Sequence, residues 1–383
     1  MSQSNIQAAF TGLFNASPEG VAIAPGRVNL LGEFTDYNDG YVLPVALDKA
    51  CHVLWRQRDD QLIRVASMQY PDQLDNFASD TNYEHGPHVW SPYVRAVVAA
   101  AKGSGLTSKG VDLLIDSRVP EGKGLSSSAA LEVSLLGALN ELNRWGLSTA
   151  DIARLGQRAE NDFVGCQCGI MDQLVSACAL AHHALLIDCA TLDCTPVPLP
   201  KDWAILVVDS NHPRQLVDSE YNQRRLDCEE ARDQLDVASL RHATNRTLTA
   251  HRADLSDNAY RRAQHVIGEN ERVLALVDII KMGELPLASS IMAAGQRSLA
   301  ENFEVTVPAT DALVSLAHEA LGNRVAARQT GGGFGGAVVT LCHQNNIDAL
   351  QAIIDQRYFS ETGLRADIHV CRPSAGLEVK TFE

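Results

Sequence analysis

Three stretches of this chain hold residue types and spacings that could do chemistry. The first, Val119-Pro120-Glu121-Gly122-Lys123-Gly124-Leu125-Ser126-Ser127-Ser128-Ala129, is a glycine-flanked turn running into a helical apolar pattern. N–H groups at a helix start have no internal partner and face outward with the positive end of the dipole, so an anion such as phosphate fits there. Gly122 and Gly124 let a ligand approach the backbone, Lys123 adds a cation, and the hydroxyls of Ser126, Ser127 and Ser128 can bond phosphate oxygens or ligate Mg2+. A flexible turn before an ordinary capped helix reads the same way. No Gly-Lys-Ser/Thr occurs there, so a Walker A loop is excluded.

The second stretch, Thr330-Gly331-Gly332-Gly333-Phe334-Gly335-Gly336, contains G-x-G-x-x-G, but Ala337–Leu341 behind it reads as a strand, whereas a dinucleotide fingerprint must open a helix. Such a run implies close approach of backbone to a ligand or to another element. In the third, Gly26 to Asn38, the carboxylates of Glu33 and Asp36 sit without a basic residue between them and are suited to accept hydrogen bonds from sugar or polyol hydroxyls; a solvated acidic turn is the alternative. Glu160 and Asp172 read either as metal ligand and general base or as helix-surface carboxylates. Cys166 and Cys168 lack the further ligands of a zinc site, and no G-x-S-x-G elbow is present, which makes Ser126–Ser128 poor candidates for a serine-hydrolase nucleophile.

The elements that must position these residues are legible as periodicity. Val53–Arg56, Leu62–Ser67, Val111–Asp116, Ala184–Cys189 and Ala204–Asp209 are predicted strands, and Leu125–Leu142, Thr149–Val164 and Ile170–Leu180 predicted helices. Thr195–Pro200, with three prolines, is expected to be a rigid crossover, so a first domain is placed over residues 1–200 and a second over 201–383. The class is mixed α/β. With 32 basic against 47 acidic residues, a net charge of −15 opposes binding to nucleic acid or an anionic membrane. No apolar run approaches the roughly 20 residues that span a bilayer. Nine scattered cysteines and a polar start without a signal pattern suggest free thiols and a cytoplasmic protein.

Together and in this order, the clusters resemble the GHMP small-molecule kinases, and within them the galactokinases. Gly26–Asn38 is similar to the galactokinase signature, Gly122–Ala129 to the family's phosphate loop, and Thr330–Gly336 to its C-terminal glycine motif. Glu160–Gly165 continuing into Cys168–Gln173 is also galactokinase-like. The resemblance implies a two-domain GHMP-kinase-like α/β (α+β) fold with the active site in the interdomain cleft, using ATP and Mg2+ to phosphorylate galactose at its anomeric hydroxyl. It assigns Asp172 and Arg27 as catalytic, Glu33, Phe34, Thr35, Asp36, Tyr221 and Gly332 to the sugar, and Gly122, Lys123, Gly124, Leu125, Ser126, Ser127 and Ser128 to ATP. Ser128 and Glu160 are the implied metal ligands. The family usually has histidine where this chain has Phe34, near the C6 end of the sugar, which implies either altered tolerance there or a natural variant with unchanged substrate. Lys123 also stands where the family more often has a small residue. The expected partners are a sugar and ATP, acting on a monomer. Kinases of L-arabinose or N-acetylgalactosamine, or a catalytically silent galactose and ATP sensor, are the competing readings.

Overall fold

A computed structural model describes residues 3–80, 82–213 and 217–382. After the helix Gln3–Phe14 come β1 (Gly20–Asn29), β2 (Tyr41–Val42), β3 (Pro44–Gln57), β4 (Leu62–Ser67) and β5 (Tyr70–Ala78). The helix Ser91–Gly103 leads to β6 (Val111–Ser117), and the helices Ser127–Asn143, Thr149–Ala159 and Met171–Cys178 precede β7 (His183–Asp188) and β8 (Asp193–Pro198). β9 (Trp203–Asp209) is followed by a helical run that includes Val217–Gln234, Asp257–Met282, Leu285–Ser298 and Pro308–Leu321. The chain finishes with β10 (Val325–Thr330), β11 (Ala337–His343), the helix Ile347–Thr362, β12 (Asp367–Cys371) and β13 (Glu378–Thr381).

Period-two alternation builds the six-stranded sheet, ordered β13-β1-β3-β6-β4-β5. Val21, Leu54 and Leu114 turn to one face and pack on Ile6, Phe10 and Phe14 of the first helix. Ala22, Val53 and Leu113 turn to the other, into the main core with the helix Ser127–Asn143. That helix is buried on nearly every side, which is why its sequence lacks a polar stripe and even Glu132 and Ser134 are enclosed. A second sheet, β10-β11-β9-β12, is wholly antiparallel and packs on the helices Pro308–Leu321 and Ile347–Thr362. β2, β7 and β8 form a third sheet.

The proline-rich stretch departs from expectation. Pro196 and Pro198 lie in β8, opposite Leu185 and His183 of β7. β8 is an edge strand, so prolines that cannot donate cost no ladder bond on its open side. The division near residue 200 falls between β8 and β9, but β13 recrosses it and pairs with β1, Gly20 opposite Thr381. Among the described residues all nine cysteines are free, and no helix is long and apolar enough to cross a membrane.

Candidate active site

A cleft of about 470 Å3 is lined from both halves of the chain, by residues that include Arg27, Glu33, Asp36, Gly122, Ser126–Ser128, Glu160, Asp172, Tyr221 and Gly332. Arg27 enters it from β1 at a bulge: the register with β3 shifts between Pro25 and Arg27. A Cβ at Gly26 would lie 2.5 Å from the Leu125 carbonyl oxygen, so glycine is what lets the strand touch the loop. Asp172 faces Arg27 from the first turn of the helix Met171–Cys178. Arg27 Nε donates to Asp172 Oδ1 at 2.7 Å and Nη2 to Oδ2 at 2.6 Å, a two-pronged pair. The Ser126 hydroxyl donates to the same Oδ2 at 2.5 Å.

The phosphate loop is held by Arg27 as well. Arg27 Nη1 donates to the Gly124 carbonyl at 2.8 Å and its backbone N–H to that of Leu125 at 3.0 Å. Gly122, Gly124 and Ser126 all adopt positive φ, 70°, 77° and 56°, which throws the chain into a tight turn ahead of the helix. No side chain caps that helix start, so its first N–H groups remain available at the cleft. Two residues assigned to ATP do not line the cleft. Leu125 is driven into the core by its apolar side chain, and Lys123 turns instead to Asp209, Nζ to Oδ2 at 2.7 Å.

At the opposite end, Glu33 is buried, with Oε2 2.7 Å from Arg328 Nη2 and with Oε1 free of any hydrogen bond among the described residues. Arg328 Nη1 in turn donates at 2.6 Å to Glu269, which also accepts from Arg272 Nε at 2.7 Å and from the Gly32 N–H at 2.9 Å. Burial raises the Glu33 carboxyl to about 7 against the opposing pull of Arg328. Burial would raise Glu269 too, but Arg328 and Arg272 outweigh it and hold Glu269 well below the ordinary carboxylate range. Asp36, half-buried at the cleft, is raised to about 6 by burial and by the charge of Asp172. A Cβ on Gly169 would collide with the Asp36 carboxylate. Phe34 has a φ of 67° and stacks on Phe303, ring centres 4.4 Å apart, with Tyr221 at 5.7 Å. Thr35, assigned to the sugar, is fully buried outside the cleft lining; its hydroxyl bridges the carbonyls of Gly32 and Tyr41 at 2.8 and 2.7 Å and so holds the loop's shape.

Glu160 opens a π-helical turn, Glu160–Val164, that widens the end of the helix Thr149–Ala159. Its Oε2 accepts from Gln173 Nε2 at 2.9 Å, and the Ser128 side chain bonds the same carboxylate. Burial, then the charge of Asp172, raises Glu160. Gln173 also donates to Glu132 at 3.0 Å, whose carboxyl is raised well above its usual range by burial and by Glu160. Among the described residues no cluster of three or more histidine, cysteine or acidic side chains makes a self-contained metal site. A hydroxyl and a carboxylate on one wall nevertheless match the needs of Mg2+, which binds few protein oxygens and keeps waters or phosphate oxygens elsewhere.

Two features of the site carry no signal in the sequence. A hollow of about 220 Å3 adjoins the phosphate loop, lined by Tyr70, Trp90, Ile115 and Leu131 with Ser67 and Ser117. Its aromatic residues are scattered over several elements, and no local motif marks them. The Arg328–Glu269–Arg272 network behind Glu33 is equally hidden, because its members read as isolated charges on a strand and a helix.

The Arg27–Asp172 pair touches the glycine-rich helix start directly, and residues 92–180 and 275–361 match the family models "GHMP kinases N terminal domain" and "GHMP kinases C terminal", so the fold and its cleft are those of the GHMP kinases. The Methanococcus jannaschii mevalonate kinase shares the fold at a TM-score of 0.66 and 15% identity, covering 93% of this chain and 98% of that one. Residues 8–57 match the "Galactokinase galactose-binding signature". Lactococcus lactis galactokinase, solved with galactose, superposes at a TM-score of 0.92 with 31% identity over 98% of this chain and 99% of that one. The chain belongs to the galactokinase family.

Proposed function

We propose that this chain transfers the γ-phosphoryl group of ATP to the anomeric hydroxyl of galactose, yielding galactose 1-phosphate. The supporting observation is a convergence: the loop carrying Glu33 and Asp36 and the uncapped helix start at Ser126–Ser128 meet at the single Arg27–Asp172 pair. Both oxygens of Asp172 are held, Oδ1 by Nε and Nη2 of Arg27 and Oδ2 by Arg27 Nη2 and the Ser126 hydroxyl, so the carboxylate is fixed in place at the cleft as the base that takes the proton of the attacking hydroxyl. Arg27 orients that base and, through the Gly124 carbonyl, ties it to the phosphate loop. The loop N–H groups face the charge that develops on the transferred phosphoryl group, which needs positioning and neutralisation more than covalent chemistry.

Ser128 and Glu160 would hold Mg2+, which when bound neutralises charge on the phosphate oxygens. Glu33 and Asp36 accept hydrogen bonds from sugar hydroxyls, with Tyr221 and Gly332 closing the same side. The hollow beside Trp90 and Leu131 has the size and apolar walls to take the adenine ring. The nine free thiols suit a reducing, cytoplasmic compartment, and the chain works as a monomer.

The resemblance that sets position 34 near C6 makes Phe34 an apolar wall there, so 6-deoxygalactose and L-arabinose are accepted comparatively well. The test is Mg2+-dependent ADP release with galactose, 6-deoxygalactose, L-arabinose, N-acetylgalactosamine and glucose. Galactose turnover supports the assignment, turnover of another sugar alone transfers it to that sugar, and binding without turnover supports the sensor. Phe34→His is expected to make the enzyme discriminate more strongly against 6-deoxygalactose, lowering its kcat/KM relative to galactose; a rise in that ratio would refute the role of the ring.

A further inference from the structure

Lys123 is turned away from the cleft by a site built to receive it. Its Nζ sits 2.7 Å from Asp209 Oδ2 and also bonds Asn211 Oδ1. Asp209 ends β9, its side chain is 4% exposed, and Lys123 is its one cationic partner among the described residues. The turn behind it is firmly anchored. Ser210 donates to the Gly336 carbonyl from its N–H at 2.9 Å and its hydroxyl at 2.6 Å, and the Tyr358 hydroxyl donates to the Ser210 carbonyl at 2.8 Å. Asn211 Nδ2 donates to Asp367 Oδ2 at 2.8 Å and to the Arg365 carbonyl at 2.9 Å.

The phosphate loop has the opposite character. Its glycines have wide backbone freedom to lose, and around Gly122 there is open space where a side chain could have packed. Arg27 holds it at Gly124 and Leu125 and Ser126 bonds Asp172, but at the Gly122 end the further tie is the Tyr70 hydroxyl to exposed Glu121 at 3.0 Å.

We propose that Lys123 and Asp209 form a clasp that positions the phosphate loop against the second half of the chain, with Lys123 acting through Asp209 rather than as a phosphate ligand. Swinging Lys123 to the nucleotide would leave the buried Asp209 carboxylate without a cation, its Oδ1 held only by the Asn211 N–H at 2.9 Å, beside an anionic triphosphate, which is unfavourable. Leaving the pair intact neutralises Asp209 and pre-orders the loop, so less freedom is lost when ATP arrives. The clasp rests on the kinase reading for its purpose but not for its test, since ATP binding is measured without sugar.

ATP affinity by calorimetry, and KM for ATP and for galactose, are measured on the full chain and on Lys123→Ala, Lys123→Arg, Asp209→Asn and the Lys123→Ala/Asp209→Asn double variant. The clasp predicts that Lys123→Ala and Asp209→Asn each weaken ATP about three- to tenfold. Galactose KM should stay unchanged, the double variant should be no weaker than the weaker single, and Lys123→Arg should restore most of the affinity. Tighter or unaltered ATP binding in Asp209→Asn while Lys123→Ala weakens it would make Lys123 a phosphate ligand and overturn the proposal, as would unchanged affinity throughout. Should Asp209→Asn fail to fold, Asn211→Ala serves in its place: the clasp predicts weaker ATP, direct ligation does not. A wild type that binds ATP yet phosphorylates no galactose defeats the kinase reading and leaves the calorimetric comparison intact.

Discussion

The two ends of the cleft are built on opposite plans. At the phosphate end the working groups are backbone N–H groups and hydroxyls from one contiguous segment, Gly122–Ser128, shaped by left-handed residues. At the proposed sugar end they are side chains, the carboxylates of one loop, Glu33 and Asp36, joined by Tyr221 and Gly332 from far along the chain, and Glu33 is set against buried Arg328 almost 300 positions beyond it. A triphosphate presents the same anionic oxygens in every context, so oriented amides suffice. Telling one sugar from another needs side chains held at fixed places, and those need a supporting network.

The largest effect should come from the pair that serves both ends. Asp172→Ala is expected to lower kcat by about 10^2- to 10^4-fold while leaving ATP affinity nearly intact, read by coupled ADP release and calorimetry. If ATP affinity fell in step, the ends would be one site rather than two joined at Asp172. Breaking only the sugar end comes next. Glu269→Ala strips Arg328 and the Gly32 N–H of a fully buried partner and should cost about 3–5 kcal/mol of stability in a denaturant titration. Loss of phosphate-end function without loss of stability would refute this. Gly169→Ala forces a Cβ into Asp36 and should raise KM for galactose about ten- to a hundredfold with KM for ATP unchanged.

The smallest effect sharpens the comparison through pH. Burial lifts Asp36 to about 6 and Glu33 to about 7, above their values in an unfolded chain. A raised carboxyl keeps its proton longer in the folded state, so folding is penalised once the unfolded chain ionises. For Asp36 the penalty is absent below about pH 4, grows up to about pH 6 and is constant above it. Asp36→Asn should therefore stabilise the protein at pH 8 by about 1–2 kcal/mol, discounted because Asp36 is partly open to the cleft, and have no such effect at pH 4. Equal melting shifts at both pH values would rule it out. In the parent protein, galactose should bind with a lower KM as the pH rises past the Asp36 and Glu33 values, because the acceptors ionise.

This contrast also explains what can be read from the sequence. The phosphate loop is local, so its glycines and serines announce a helix start at Leu125, within a turn of Ser127 where the helix begins. Asp172 and Arg27 carry no local signal of partnership, and only family resemblance joins them. Thr35, Lys123 and Leu125 sit inside motifs yet point elsewhere, because neighbours in sequence leave a turn in different directions. The Arg328–Glu269 network depends on pairing between elements far apart in the chain, and β8 contains prolines that read as a linker until β7 supplies a partner.

β13 closes the sheet from which Arg27 projects, pairing with β1 on its outer side, and the Phe382 N–H donates to the Glu19 carbonyl at 2.8 Å. β1 ends at Asn29 and β13 begins at Glu378, so a ribosome delivers the two partners far apart in time. Until β13 emerges the nascent chain carries β1 with one unpaired edge, the kind of surface that recruits other strands. Arg27 thus stands on a strand whose pairing waits for a distant segment, and a product stalled or cut before β13 would expose that edge for as long as it persists.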